Sequence, residues 1–400
     1  MGWPTFPLES LCKEFTDGNW IESKDQSAEG IRLIQTGNVG EGAFKDRGDK
    51  GRYISEPTFN KLKCFEIFEG DCLISRLPDP VGRSCVLPDT GERMITAVDC
   101  TVVRFDTARI LPQYFNFYSQ SSTYLSAVDS LTSGATRKRI SRKNLGRVEI
   151  PIPSISEQKR IVAILDQAFA DIDKARALTE QNLKNAHELF ESYLQQVFSR
   201  RGEGWANKSL GEIGKVSMCK RILKSQTSTS GDIPFFKIGT FGKTPDAFID
   251  RKTYEEFKSK YSFPKEGDVL ISASGTIGRR VAYDGKPAYF QDSNIVWIDN
   301  DENMVLNEYL YQFYGVCDWN PSKGATISRL YNDDLRSIKI SFPSLEQQKS
   351  LVCMMVDLNK KTQSLQSQYI RKLADLDELK KSLLQKAFSG ELSKGDKAAA

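Results

Sequence analysis

Residues 133–162 read SGATRKRISRKNLGRVEIPIPSISEQKRIV, and residues 323–352 read KGATISRLYNDDLRSIKISFPSLEQQKSLV. Superimposed without a gap, at an offset of 190, they match Gly134 with Gly324, Arg139 with Arg329, Leu145 with Leu335, Pro153 with Pro343, Gln158 with Gln348 and Lys159 with Lys349. The same offset carries Leu194, Phe198 and Ser199 onto Leu384, Phe388 and Ser389. Upstream the offset drifts. EGDCLIS (69–75) matches EGDVLIS (266–272), and IRLIQTGN (31–38) matches IPFFKIGT (233–240). Loop insertions in related units leave such drift behind. The chain therefore reads as one unit written twice, each copy a globular part followed by a long helix.

The helices announce themselves by what they lack. Residues 156–199 contain neither proline nor glycine. Ser154-x-x-Glu157 resembles a capping box behind a proline-rich approach, and Gly202 and Gly390 supply stops. Apolar residues recur at alternating steps of three and four, the signature of a coiled-coil seam. The spacing predicts Ile161, Leu165, Ile172, Leu189 and Tyr193 on the first seam. On the second it predicts Leu351, Leu358, Leu365, Tyr369, Leu376, Leu379 and Leu383. At ~1.5 Å per residue such a helix is a rod of roughly 60 Å, and units obeying a two-fold axis require the two rods to run antiparallel. His187 falls on the outer face of the first helix.

The globular parts read as mixed α/β with short strands. Candidates are Cys72–Ser75, Val98–Phe105 and Val148–Ile152 in the first part, and Val269–Ala273, Asn294–Ile298 and Ile338–Phe342 in the second. Leu111–Ser119, Thr253–Lys260 and Leu306–Tyr314 read as short helices, their aromatic residues as core. The expected fold class is α+β: two related mixed α/β domains separated by two long antiparallel helices forming a coiled coil, a pseudo-two-fold internal repeat. The expected boundaries are domains at 1–153 and 202–343, spacer helices at 154–201 and 344–392, and a frayed tail at 393–400.

Composition narrows the chemistry. The 400 residues are 39% hydrophobic and 27% charged, as in an ordinary globular protein, with a net charge of +4. No apolar run approaches ~18 residues, so no membrane span is expected. MGWPTFPLES has no secretion signal pattern, and none of the eight cysteines form C-x-x-C. Reduced thiols in a cytoplasmic setting are expected. A single histidine excludes poly-His metal sites and most His-dependent triads. No catalytic centre, metal or cofactor is expected.

Basic residues gather in predicted loops. Arg137, Lys138, Arg139, Arg142, Lys143 and Arg147 lie between Ser133 and Arg147 without an acid among them. Arg76 and Arg83 flank the first EGD-x-LIS strand; Ser274, Gly275, Thr276, Arg279 and Arg280 follow the second, in SGTIGRR. Lys45, Arg47, Lys50 and Arg52 form another cluster, and Lys220, Arg221 and Lys224 a further one; Lys323 and Arg329 lie in the second repeat. Arginine can fork onto phosphate or guanine, and glycine lets a backbone approach a phosphate closely. At matching places in a duplicated unit, these clusters favour contact with DNA.

The repeated layout, the P-x-P-S and F-P-S segments running into EQKRIV and EQQKSLV, the EGD-x-LIS strand with its SGTIGR loop, and the LLQKAFSG helix end together resemble the specificity (S) subunit of type I restriction–modification enzymes. The likeness covers nearly the whole chain, with one departure: SRLPDPVGR (75–83) stands where the second unit has SGTIGR. The resemblance implies two target-recognition domains, each reading half of a split site in double-stranded DNA, on conserved spacer helices. It also implies two adenine-methyltransferase (M) subunits and restriction (R) subunits as partners, and no catalysis by the chain itself. Gly134–Lys143 and Gly324–Asn332 become DNA-facing candidates.

Two other readings compete. Pro245-Asp246 with Glu256-x-Lys258 has the spacing of a nuclease motif, but Glu256 and Lys258 fall in a predicted helix. No N-P-P-Y, D-P-P-Y or P-loop motif is present. A coiled-coil scaffold that only binds protein would leave the basic clusters unexplained.

Overall fold

The computed structural model describes residues 3–134, 138–200, 203–319 and 329–392. Contacts divide the chain into two compact units, Met1–Thr179 with Arg371–Ala400, and Glu180–Ile370. The division falls inside the two long helices.

The first unit has strands β1 (Thr5–Pro7), β2 (Cys12–Asp17), β3 (Ile31–Ile34), β4 (Tyr53–Ile54), β5 (Glu66–Ile67), β6 (Cys72–Ser75), β7 (Ser84–Val86), β8 (Met94–Thr96), β9 (Cys100–Phe105) and β10 (Glu149–Pro151). Its helices are α1 (Glu56–Leu62), α2 (Pro112–Tyr118), α3 (Ser122–Ser130), α4 (Arg142–Gly146) and the first part of α5 (Ile155–Phe198). One antiparallel sheet has the order β2-β9-β6-β7; a second has the order β4-β3-β8-β5, with β3 and β8 parallel. β1 pairs with β10.

The second unit repeats this plan. Its strands are β11 (Ala206–Ser209), β12 (Gly214–Ser217), β13 (Ile233–Phe236), β14 (Phe248–Ile249), β15 (Val269–Ser272), β16 (Arg280–Ala282), β17 (Tyr289–Phe290), β18 (Ile295–Asn300) and β19 (Lys339–Phe342). Its helices are α6 (Leu210–Ile213), α7 (Arg251–Lys260), α8 (Asn307–Phe313), α9 (Asn332–Ser337) and part of α10 (Leu345–Ser389). The sheets run β12-β18-β15-β16 and β14-β13-β17, with β13 and β17 parallel, and β11 pairs with β19. The topology is the same: α6 stands where the first unit has a single 3-10 turn, Leu8–Leu11, and β5 and α3 lack counterparts among the described residues. The short strands and helices read from the sequence all form, their ends shifted by one or two residues.

The matched sequence segments have matched structural duties. In EGD-x-LIS, Gly70 and Gly267 take φ of +84° and +90°, which suits glycine. The next carboxylate ties the turn: Asp71 accepts from the Phe68 amide at 2.9 Å, Asp268 from the Lys265 amide at 2.8 Å. In the EQ helix starts, a fully buried glutamine joins three backbone groups. Gln158 accepts from the Leu111 amide at 2.9 Å and donates to the Arg109 and Pro153 carbonyls at 2.9 and 3.0 Å. Gln348 accepts from the Leu306 amide at 2.9 Å and donates to the Met304 and Pro343 carbonyls, both at 2.8 Å. Each glutamine thus fastens the start of a long helix to the loop before α2 or α8. Ser154 and Ser344 accept from the Glu157 and Gln347 amides, so the serine half of the predicted cap forms. Glu157 itself pairs with Arg160. Gly390 ends α10 with φ of +78°; Gly202 lies outside the described residues, as does 393–400.

Each unit closes its core with both long helices. Ile161 and Leu165 of α5 join Leu384 and Ala387 of α10 in the first core; Leu194, Val197 and Phe198 join Val352 and Met355 in the second. The helices are antiparallel. In the first unit Asp173 bonds Lys380, and three residues forward Arg176 bonds Asp377, three residues back. The α2 and α8 aromatics are core, as expected: Tyr114, Phe115, Tyr309 and Tyr314 are buried. His187 is exposed.

The seam needs a correction. Ile161, Leu165 and Ile172 are buried, and Tyr193, Leu351, Leu358, Tyr369, Leu376 and Leu383 are half-buried. Leu189, Leu365 and Leu379 are exposed, at 50%, 37% and 45%. Their neighbours Phe190, Gln366 and Lys380 take the inward places. Gln366 donates to the Ala186 carbonyl at 3.4 Å. Lys380 lays its charge 4.9 Å from the Phe169 ring centre and bonds Asp173 at 2.6 Å. A long polar side chain can cover apolar surface with its stem and satisfy its head. A reading based on apolar periodicity passes over such residues and selects the adjacent leucines.

Candidate nucleic-acid interface

Several predicted contacts turn out to hold the protein to itself. The Arg83 guanidinium donates to five backbone carbonyls: Val39 at 2.7 Å, Thr36 at 2.9 Å, Leu77 at 2.9 Å, Pro78 at 2.8 Å and Pro80 at 3.0 Å. In the second unit Arg279 donates to the Phe241 carbonyl at 2.9 Å, the position matching Val39. SRLPDPVGR and SGTIGR are thus the same hairpin loop of unequal length. Ser75 and Gly82 close one, Ser272 and Gly278 the other, by the same backbone bond at 2.8 and 3.0 Å. Arg76 is buried 3.4 Å from Asp17, and burial lowers its pKa. Arg280 sits 4.7 Å over the Tyr311 ring with its Nε buried and unpartnered. Arg76 and Arg83 are therefore corrected from candidate DNA contacts to internal supports, whereas Arg279 and Arg280 are half-buried, with one carbonyl bond and one ring contact respectively. Sequence shows an arginine's charge but not which carbonyls fold around it.

Other predicted residues reach the surface. Lys45 and Arg47 are exposed beyond β3, and Arg142 and Lys143 are exposed in the first turn of α4, which Ser141 caps. Lys138 pairs with Asp129 at 2.6 Å, and Arg139 with Asp99 at 2.9 Å. Gly275 and Thr276 form the exposed tip of the β15–β16 hairpin, with Gly275 at φ +66°. Lys220 lies 5.0 Å over the Tyr261 ring. Arg137 and Lys323 lie outside the described residues, as does 324–328 of the second candidate loop.

One concave site gathers the rest. In the second unit a cleft of about 460 Å³ opens between the turn after β12, the end of β13 and the β17–β18 connection. Arg221, Lys224, Lys237 and Arg329 line it, with Gln291, Asp292 and Asn294 on one wall and Ile222 and Phe235 at its apolar floor. Arg221 pairs with Asp292 at 2.9 Å, and Lys237 with Asp246 at 2.9 Å. Both cations are solvent-exposed, and Asp246 with them, while Asp292 is half-buried; exposed pairs contribute only ~0–1 kcal/mol, so an anion can compete for the cations. Arg329 donates to the Ser293 carbonyl at 3.1 Å, and Ser274 donates to Asn294 Oδ1 at 2.8 Å. The cleft thus brings together Arg221, Arg329 and, through Asn294, Ser274. Lys237, Gln291 and Asn294 stand outside every basic cluster of the sequence. The signal for them is the strand register, which places Lys237 directly after β13.

A sequence model of the type I restriction modification DNA specificity domain matches residues 1–182 and 202–374. The chain belongs to this specificity family. A Haemophilus influenzae chain assigned to the type I restriction enzyme specificity subunits is 47% identical over 239 residues, 58% of this chain and 61% of the relative. The StySPI specificity subunit of Salmonella potsdam is 25% identical over 71% of this chain and 66% of its own. The matches thus span less than two thirds of the length of these relatives, 61% and 66%. A chain from a structural study of complex assembly and conformational transition in the type I R-M system superposes with a TM-score of 0.76 at 19% identity, covering 97% of this chain and 98% of that one. At that identity it speaks for the shared fold alone.

The nuclease-like residues do not converge. Asp246 pairs with Lys237, Glu256 pairs with Lys260 at 2.9 Å, and Lys258 turns to the Tyr254 hydroxyl at 3.2 Å. Among the described residues no three His, Cys, Asp or Glu side chains are grouped to hold a metal ion. No helix among them is long and apolar enough to cross a membrane.

Proposed function

We propose that the chain is the non-catalytic, DNA-reading subunit of a type I restriction–modification complex. Each unit reads one half of a split site in double-stranded DNA, and the helical segments between them set the spacing of the halves. A carrying observation supports this: one α+β unit occurs twice, with the same strand order and the same glutamine pins, each built onto parts of two antiparallel helices. A bipartite site needs two readers at fixed separation and phase. The 44 residues of α5 make a helix ~66 Å long. Two adenine-methyltransferase subunits and the restriction subunits supply the chemistry, in the bacterial cytoplasm. The loops carrying Lys45, Arg47, Lys138, Arg139, Arg142, Lys143 and Lys220, the hairpin tip Ser274–Thr276 and the cleft with Arg221 and Arg329 face the duplex.

The test is long-read mapping of adenine methylation in the host genome before and after deletion of the gene. One split motif loses its methylation if the proposal holds; an unchanged methylome refutes it. Magnesium-dependent DNA cleavage by the purified chain alone would overturn the non-catalytic assignment.

A further inference from the structure

The two units share a fold closely enough to be compared position by position. The Leu330 amide bonds the Ala273 carbonyl and the Ala273 amide bonds the Asn294 carbonyl; the Ile140 amide bonds the Arg76 carbonyl and the Arg76 amide bonds the Asp99 carbonyl. Arg329 therefore matches Arg139, and Asn294 matches Asp99. The Gln291 amide bonds the Phe236 carbonyl as the Ala97 amide bonds that of Ile34, so Lys237 matches Gln35. Ser228 Oγ bonds the Ser230 carbonyl as Ser27 Oγ bonds that of Glu29, so Lys224 matches Ser23 and Arg221 matches Trp20.

The charge at this shared place differs sharply. The second unit sets Arg221, Lys224, Lys237 and Arg329 around a concave surface. The first sets an exposed indole, a serine, an amide and Arg139, and Asp99 neutralises that arginine where the second unit has the uncharged Asn294. The nearby Lys24 is tied to Glu22 at 2.7 Å. Two exposed cations of the first unit, Lys45 and Arg47, lie instead on the loop after β3.

We infer that the cleft of the second unit is a phosphodiester-binding subsite with no counterpart among the described residues at the equivalent place in the first. The two units grip DNA by different chemistry at one position of a common fold. The inference rests on the DNA-reading role proposed above. In the second unit, backbone phosphates displace the exposed Asp246 from Lys237 and compete with the half-buried Asp292 for the exposed Arg221. In the first, phosphate contact shifts to the β3 loop, and Trp20 offers an apolar face.

The experiment measures duplex affinity of the full chain by fluorescence anisotropy from about 50 to 200 mM salt, where each phosphate contact adds about 0.9 to the log–log slope. Lys224→Gln with Lys237→Gln reduces the slope by about 2. Ser23→Lys with Gln35→Lys, rebuilding the charge in the first unit, steepens it. Retention of the wild-type slope by the first pair overturns the inference while leaving DNA reading intact. A wild-type chain that binds no duplex, alone or with methyltransferase subunits, overturns both. Titration with inorganic phosphate gives no saturable binding if the subsite is shaped for a duplex; saturable binding lost in the Lys224/Lys237 variant reassigns the cleft to a free anion.

Discussion

Replacing Gln348 by methionine keeps the side-chain volume and removes its polar atoms. The site is completely buried, so the Leu306 amide and the Met304 and Pro343 carbonyls lose their partner with no water to replace it. Each orphaned group costs ~1–3 kcal/mol; the two carbonyls, with second lone pairs, fall at the low end. The sum is about 4 kcal/mol. For a unit of this size that lowers the melting midpoint by about 12 °C. Urea unfolding followed by circular dichroism and tryptophan fluorescence reads the loss, with Gln347→Met, one residue away and exposed, as the unchanged control. Gln158→Met should lose a similar amount, since its three bonds are the same. A loss below about 1 kcal/mol in both variants would refute the argument that these glutamines hold the long helices onto the units.

Three further outcomes follow from the same contacts. Arg83→Gln removes up to five carbonyl bonds and Arg279→Gln one, so the first should cost about 3 kcal/mol and the second about 1 kcal/mol in urea unfolding; equal losses would contradict the pinning role. Met355→Ala empties a core position and should cost about 2–4 kcal/mol, whereas Leu365→Gln on the exposed face should change stability by less than about 0.5 kcal/mol. Burial pushes the Cys85 and Cys100 thiols up to about 12, so both stay protonated at pH 8. A thiol reagent should label exposed Cys353 in the folded chain and reach Cys85 and Cys100 only in urea; mass spectrometry showing either modified without denaturant would count against the apolar cluster they share with Leu73 and Val102.

The sequence by itself determined the repeat, the two long helices and most of the short strands, because these follow from local signals: periodicity, breakers and self-similarity. EGD-x-LIS and the EQ helix starts were legible as matches, but their duty, turn closure and a three-way glutamine pin, was not, since both depend on loops distant in sequence. Only the tertiary structure decided which cations meet solvent. Arg83 and Lys237 carry the same formal charge in the sequence. Folding wraps five carbonyls around one and opens a cleft beside the other. It also chose Gln366 and Lys380 over the neighbouring leucines for the seam, because inward placement depends on what the partner helix offers, an acceptor carbonyl or an aromatic face, and periodicity carries no record of that partner.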